Sequence, residues 1–399
     1  MKVQNDILTA VDRDGAAVLV LLDLSSAVDT IDHSILLSTL ETRIGIEGTA
    51  LQWFASYLSG RCQTVVIDGH MSSPKDLTYG VPQGSVLGPL LFTIYTSPLG
   101  DIIRSFNLEL HLYADDAQIY MSFKPLVPSS TEACFRVIEE CVSCIKQWMS
   151  SHYLKLNDDK TELIVFLPKR LQTKISLPNF CIGQCEIVPK SEVRNLGVIY
   201  DSSLSMEPHI NNICRRAYYH LRNIGMIRRH LDAQTTVALV QAYVTSRLDY
   251  CNALLIGLPS HLIRKLQKVQ NCAARLITQS KKSEHVTPLL HSLHWLPVHY
   301  RIQYKALLLV YKSLQGLAPQ YLSDLFQSYT PARSLRSSDQ GLLTVPVSRT
   351  RTYGDRSLQS AGPHLWNKLP SEMRTVPDLT SFKSYLKTYL FHEAFEHHV

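Results

Sequence analysis

No long apolar run exists in this chain. A membrane-spanning helix needs about 18 or more consecutive apolar residues, and none is expected here. The longest candidate, Ala16 to Leu24, is too short and is interrupted by Asp23. A secretory leader is not expected either, because no apolar segment follows the basic residue in Met1-Lys2-Val3-Gln4-Asn5-Asp6. Ordered cysteine chemistry is missing too. The nine Cys are scattered and odd in number, and no pair has zinc-finger spacing with a matching pair downstream. Cys141 and Cys144 form a C-x-x-C on a helical pattern, without a second half. All nine read as reduced thiols in an intracellular protein, which is expected to be nuclear and cytoplasmic and not secreted.

What the chain does have is length and an uneven charge. Its 399 residues, 45% of them hydrophobic, suffice for two or three domains with real cores. Residues 1–201 hold 16 Lys and Arg against 23 Asp and Glu, a formal −7, whereas residues 202–399 hold 24 against 11, a formal +13. An acidic half with clustered carboxylates joined to a basic half suits a metal-centred site beside a polyanion-binding surface. Arg-rich helices that are merely well solvated would show the same count.

The most informative stretch is His111-Leu112-Tyr113-Ala114-Asp115-Asp116-Ala117-Gln118-Ile119-Tyr120. Alternating apolar residues run into two acids and out again, which predicts a β-hairpin with the acids at its turn. A turn explains one Asp cheaply, because its carboxylate bonds nearby backbone N–H groups. Adjacent like charges repel unless a cation neutralises them, so the pair reads either as a solvated turn or as a Mg²⁺ site. Upstream, Ala16 to Asp23 is a continuous apolar run ending in an acid, the pattern of a strand buried on both faces. A buried strand ending in an acid is costly unless the acid is paired, hydrogen-bonded or metal-bound. Asp29 and Asp32 precede the helical pattern Ser34 to Leu40 and can cap it.

Further on, Leu51 to Leu58 predicts a short amphipathic helix closed by Gly60. Gln63 to Asp68 and Lys75 to Tyr79 predict paired strands. Tyr79-Gly80-Val81-Pro82-Gln83-Gly84-Ser85-Val86-Leu87-Gly88-Pro89 prevents regular structure and lets backbone approach a ligand closely. Pro89 opens an apolar helix to about Ser97. Such a loop at a helix N-terminus suits phosphate, but is also a common connector. Glu132 to Ser151 is amphipathic, and a polar turn around Lys160 leads into a strand at Leu163 to Leu167. Lys160 on spacing alone is a surface residue. Val193 to Asp201 predicts one more strand, with a bulge at Gly197.

In this order, the pieces resemble reverse transcriptases of the non-LTR (LINE, jockey-like) retrotransposon type, over roughly Asn5 to Asp201. Leu22-Asp23-Leu24-Ser25-Ser26-Ala27-Val28-Asp29 is similar to the family's first metal motif. Gly80-Val81-Pro82-Gln83-Gly84-Ser85 resembles its template- and nucleotide-positioning loop. Tyr113-Ala114-Asp115-Asp116 matches its Y-x-D-D signature. Lys155-Leu156-Asn157 through Lys160-Thr161-Glu162 resembles the next motif, and Asn195-Leu196-Gly197-Val198 the primer-grip region.

The resemblance implies an α+β fold: a polymerase palm, an antiparallel sheet with packed helices, then a mostly helical thumb and C-terminal region. The implied activity is RNA-directed DNA polymerisation, a nucleotidyl transfer to a primer 3′-OH. Its partners are an RNA template, a DNA primer and deoxynucleoside triphosphates, with no membrane. Its cofactors are two Mg²⁺ ions about 3.5–4 Å apart. Asp23, Asp115, Asp116 and the Leu24 carbonyl are the implied ligands, and Lys160 the proton donor to the leaving group. Val28, Gln83 and Gly84 fall at nucleotide-positioning places. Val28 stands where the family usually has an aromatic residue, so weakened sugar discrimination is expected. The family's fingers and endonuclease lie upstream of Met1, so the expectation is a truncated palm. A catalytically inactive, nucleic-acid-binding remnant is the alternative.

The expected domains are 1–201 for the palm, 202–326 for the basic helical thumb, 327–352 for a linker and 353–399 for a small helical region. Arg215, Arg216, Arg222, Arg228 and Arg229 follow one helix, and Arg264, Lys265, Lys268 and Arg275 another, with Tyr218, Tyr219 and Tyr243 interleaved. They read as a grip on a nucleic-acid backbone or as ordinary solvated helices. His291-Ser292-Leu293-His294-Trp295-Leu296-Pro297-Val298 separates two helices. Its two His lack further ligands at regular spacing and read as core or surface residues.

Overall fold

A computed structural model describes residues 1–25, 29–82, 84–182, 185–330 and 340–396. The chain forms two compact units, Gly15–Val193 on one hand and Met1–Asp14 with Arg194–Val399 on the other. Both helices and antiparallel sheet are present, so the fold is α+β.

The first unit is built on β1 (Ala16–Ser25). Its aliphatic, partly β-branched run favours extended backbone, and Ala16, Val18, Leu19, Val20 and Leu22 are buried. Four short strands come after it: β2 (Cys62–Gln63), β3 (Val66–Ile67), β4 (His70–Met71) and β5 (Lys75–Asp76). The longer β6 (Glu109–Tyr113) and β7 (Asp116–Phe123) come next, then β8 (Lys155–Leu156) and β9 (Glu162–Phe166). The main sheet runs β6-β7-β1-β8, with β9 also paired to β1. Every pairing is antiparallel. Helices His33–Thr39, Gly88–Thr96, Leu99–Ser105 and Pro128–Ser151 supply much of the rest of this core. Phe135, Ile138, Val142 and Ile145 recur at helical spacing and pack in one cluster with Val18, Val20 and Leu22. Each such side chain contributes about 1.5–3 kcal/mol by leaving water.

Two expectations need correction. The strands predicted at Gln63–Asp68 and Lys75–Tyr79 form only the short pair β2–β5, because β3 and β4 close on each other first. Asp68-Gly69 turns them, with both residues at positive φ, the geometry of a two-residue hairpin. The single bulged strand predicted over Val193–Asp201 is instead two strands, Glu192–Asn195 and Val198–Asp201. Leu196 and Gly197 both take positive φ between them, so the Gly makes a turn.

The second unit is mostly helical. Its longest helices are Glu207–Ile227, Ser260–Thr278, Val298–Leu314 and Leu379–Phe395. Leu307, Val310, Tyr311, Trp366, Phe382 and Leu386 share one core, with Tyr311 stacked on Phe382 at 4.1 Å between centroids. The N-terminal helix α1 (Lys2–Asp12) belongs to this unit. Gln4 Nε2 donates to the Leu254 carbonyl at 2.9 Å, and the Gln359 amide donates to Asn5 Oδ1 at 3.0 Å. Asp12 accepts from Arg349 N at 2.9 Å, Thr350 N at 2.7 Å and Thr350 Oγ1 at 2.7 Å. Gly354 is required beside it, because a Cβ there would fall 2.5 Å from the Asp12 carboxyl carbon. In the stretch expected to be a linker, the described residues are anchored: Leu343 and Asn367 exchange two hydrogen bonds, and Trp366 Nε1 donates to Gly341 O. Among the described residues, no helix is long and apolar enough to cross a membrane.

Candidate active site

The β6–β7 hairpin closes on the expected acids. Tyr113 pairs with Asp116, leaving Ala114 and Asp115 as the two turn residues. Ala114 takes φ +52, a region non-glycine residues rarely occupy and one associated with functional sites. β7 then runs antiparallel to β1 in a register that sets Asp23 directly opposite Asp116. Cross-strand partners share a face of the sheet, with Cβ atoms about 5 Å apart. The acid ending the buried strand and one of the hairpin acids are therefore neighbours, and Asp115 is exposed at the tip beside them.

The electrostatics agree with this crowding. Burial pushes the Asp116 carboxyl above the ordinary carboxylate value, and the charges of Asp115 and Asp23 push it further. Like charges placed opposite each other on a sheet destabilise it. Because the Asp116 pKa is raised on folding, its penalty is absent below the ordinary value of 3.8 and develops as pH rises above it. Asp116→Asn should therefore raise stability at pH 7, by about 0.5 kcal/mol. Thermal melts at pH 7 and pH 3 would check this, with the gain expected only at the higher pH.

The other side of Asp23 is held by β8 and the turn after it. Leu24 pairs with Leu156, and Asn157 N donates to the Asp23 carbonyl at 3.0 Å. Asn157 Nδ2 lies 3.4 Å from Asp23 Oδ2, and Lys160 Nζ lies 3.2 Å from the same oxygen. This ion pair is half open to water, with the Lys160 side chain 67% exposed and Asp23 26%. Such a pair contributes little to stability and can exchange partners. Asn157 is a contact that sequence reasoning placed in a motif without giving it a role.

The Gly/Pro loop is pinned near the end of the same motif. Gly80 N donates to Ile31 O at 2.8 Å, and His33 Nε2 sits 2.8 Å from Gly80 O. Gly80 has φ +82, and a Cβ there would meet the Asp29 carbonyl oxygen at 2.8 Å, so only glycine fits. Asp32 caps the helix after it, accepting from Ile35 N at 2.9 Å. The Asp29 backbone instead abuts Gly80. Gly84 is an exposed turn residue at φ +76. Val28 and Gln83 lie outside the described residues. The sheet thus brings Asp23, Asp116, Asn157 and Lys160 together, with Asp115 alongside.

The donor set has the chemistry of a hard-cation site: carboxylate oxygens, partly open to water, with unneutralised charge. Among the described residues no three acidic, His or Cys side chains already converge on one point.

In the second unit the expected basic residues divide. Arg228 is used internally: its Nε donates to Leu276 O at 3.1 Å, and its Nη2 to Ile277 O at 3.1 Å. Lys265 pairs with Glu207 at 2.8 Å, and Arg275 donates to Glu284 O. Arg216, Arg222, Arg229, Arg264 and Lys268 are exposed.

Known proteins resemble this chain in sequence. The reverse transcriptase (RNA-dependent DNA polymerase) family model matches residues 3–200. A probable RNA-directed DNA polymerase from transposon BS of Drosophila melanogaster is 28% identical over 290 residues, 68% of this chain and 30% of that protein. The corresponding protein of the X-element is 25% identical over 360 residues, 88% of this chain and 38% of its own length. The RNA-directed DNA polymerase from mobile element jockey of the same species is 26% identical over 218 residues, covering 53% and 22%. The chain thus spans only 22–38% of the length of these curated relatives. Among solved structures, apo telomerase from Candida tropicalis superposes with a TM-score of 0.37 at 10% identity, covering 76% of this chain and 50% of that one.

Proposed function

Because the chain belongs to the reverse transcriptase family, through residues 3–200 and on the side of the jockey-like non-LTR elements, we propose that it extends a primer 3′-OH with deoxynucleotides on an RNA template. The observation that carries this reading is the register that sets Asp23 opposite Asp116, with Asp115 at the adjoining turn. On this reading the sheet unit is the palm, and the basic helical unit is the thumb.

Asp23, Asp115, Asp116 and the Leu24 carbonyl are the proposed ligands of two Mg²⁺ ions. When bound, the ions supply charge neutralisation at the phosphates and a lowered pKa at the attacking hydroxyl. The chain's own contribution is positioning, which supplies much of the rate in phosphoryl transfer. β1 and β7 fix two acids on one sheet face, and the Asn157 amide fixes the main chain of Asp23. Lys160 is the proposed proton donor to the leaving pyrophosphate. Its exposed ammonium, resting on Asp23, can swing to a nearby phosphate. Val28, Gln83 and Gly84 are proposed to position the nucleotide, on the strength of the motifs they fall in. The exposed Arg216, Arg222, Arg229, Arg264 and Lys268 are proposed phosphate contacts, whose binding would weaken as salt rises.

The test is primer extension on an RNA template with Mg²⁺ and all four deoxynucleotides. Elongated product that disappears on chelation is the expected result. A salt-sensitive gel shift of the template–primer with no extension would leave only a nucleic-acid-binding remnant.

A further inference from the structure

The motif around His294 and Trp295, which the polymerase reading leaves unused, borders a cavity of about 600 Å³ in the helical unit. That is within the size range of small-ligand sites. Its walls include Gln241, Thr245, His294, Trp295, Lys305 and Lys387. Arg301 and Asp249 also line it and pair with each other through Nε and Oδ1 at 2.8 Å, so their charges cancel. Lys305 and Lys387 are exposed and have no carboxylate partner among the described residues. The cavity therefore carries two uncompensated ammonium groups beside an indole.

Two backbone irregularities meet at this cavity. Gln241–Thr245 is a π-helical turn, a rare feature found often at functional sites. His294 takes φ +52 at the end of helix Thr287–Ser292. His294 N donates to His291 O at 3.0 Å, and Trp295 N reaches back to Leu290 O at 2.9 Å. Such a helix ending normally has glycine at its left-handed position. A histidine there costs backbone strain, and its ring leans on Phe391 at 5.7 Å. The same ending brings Trp295 and the buried Leu296 to the cavity wall.

We propose that this cavity seats an unstacked nucleotide of a single-stranded nucleic acid, its base against Trp295 and its phosphates on Lys305 and Lys387. Aromatic faces combined with cations along a groove are how proteins hold single strands without reading sequence. The surrounding formal +13 of residues 202–399 favours a polyanion over a neutral ligand. RNA and DNA strands share this chemistry. The inference is independent of the polymerase reading, because it needs neither Asp23 nor Asp115.

The experiment uses the full chain in chelator, without deoxynucleotides, so that polymerisation plays no part. Fluorescein-labelled short oligo(U) and oligo(dT) are titrated, with a blunt RNA–DNA hybrid of equal length as control. Trp295→Ala is expected to weaken single-strand binding about tenfold or more, while Trp295→Phe keeps most of it. Lys305→Glu with Lys387→Glu should weaken it too and reduce its salt dependence by about one and a half ions. Binding of the hybrid should be unchanged in each variant. The preferred strand, oligo(U) or oligo(dT), identifies the source. Unchanged single-strand binding in the exposed double-lysine variant, or an equal loss for strand and hybrid, would overturn the proposal. The lysine variant decides the matter if Trp295→Ala fails to fold.

Discussion

Asp23→Asn should cut RNA-templated primer extension by roughly a thousandfold, about 4 kcal/mol of barrier, while leaving template–primer affinity nearly unchanged. The substitution keeps the side chain's shape and can still hydrogen-bond. What it removes is an anionic oxygen at the one place where β1, β7 and the Asn157 segment meet. It also removes a like charge facing Asp116, so the folded state should be no less stable. Asp115→Ala should behave similarly, because Asp115 is exposed at a turn and carries no packing. Single-turnover extension, paired with a thermal melt, separates chemistry from folding. An Asp23→Asn chain that extends at about a tenth of the wild-type rate or better would end the two-metal reading.

Asp12→Ala should be strongly destabilising for a change at a polar side chain. Asp12 is nearly fully buried and accepts three hydrogen bonds from Arg349 and Thr350. Removing it leaves those donors unsatisfied at about 1 kcal/mol each, for a loss of about 3 kcal/mol. Burial pushes its carboxyl up, but the hydrogen bonds from Arg349, Thr350 and Gly354 outweigh this and hold it below the ordinary 3.8. A depressed pKa contributes stability above the unfolded value that disappears as pH falls through the folded one. The difference between wild type and Asp12→Ala in urea midpoint should therefore be large at pH 7 and shrink below about pH 4. A difference independent of pH would mean that the carboxylate's charge is not what matters.

Much of the sheet unit is legible in the sequence alone. β1 announces itself through an unbroken aliphatic run, and β6–β7 through alternation around two acids. Both signals are local, and both strands form. The partner on the far side of Asp23 is harder to see, because β8 is only two residues long and has no periodicity to detect. Asp68-Gly69 is a readable hairpin signal, masked by the longer strand patterns on either side of it. Lys160 can be placed in a motif, but spacing cannot show that its ammonium rests on Asp23. The attachment of α1 is invisible for a deeper reason. Its anchors are polar contacts from Asn5, Thr9 and Asp12 to residues more than three hundred positions away. No local pattern encodes a partner at that separation.

That attachment matters to anyone who would excise the domain. The family match starts at residue 3 and stops at 200, yet Lys2–Asp12 is held by residues near 254 and 349–359. A fragment trimmed to the match would keep Ile7, Leu8 and Val11, all nearly fully buried in the intact chain, and discard what covers them. Expressed that way, it would carry an oily helix into solution, and poor solubility would then be a product of where the cut fell.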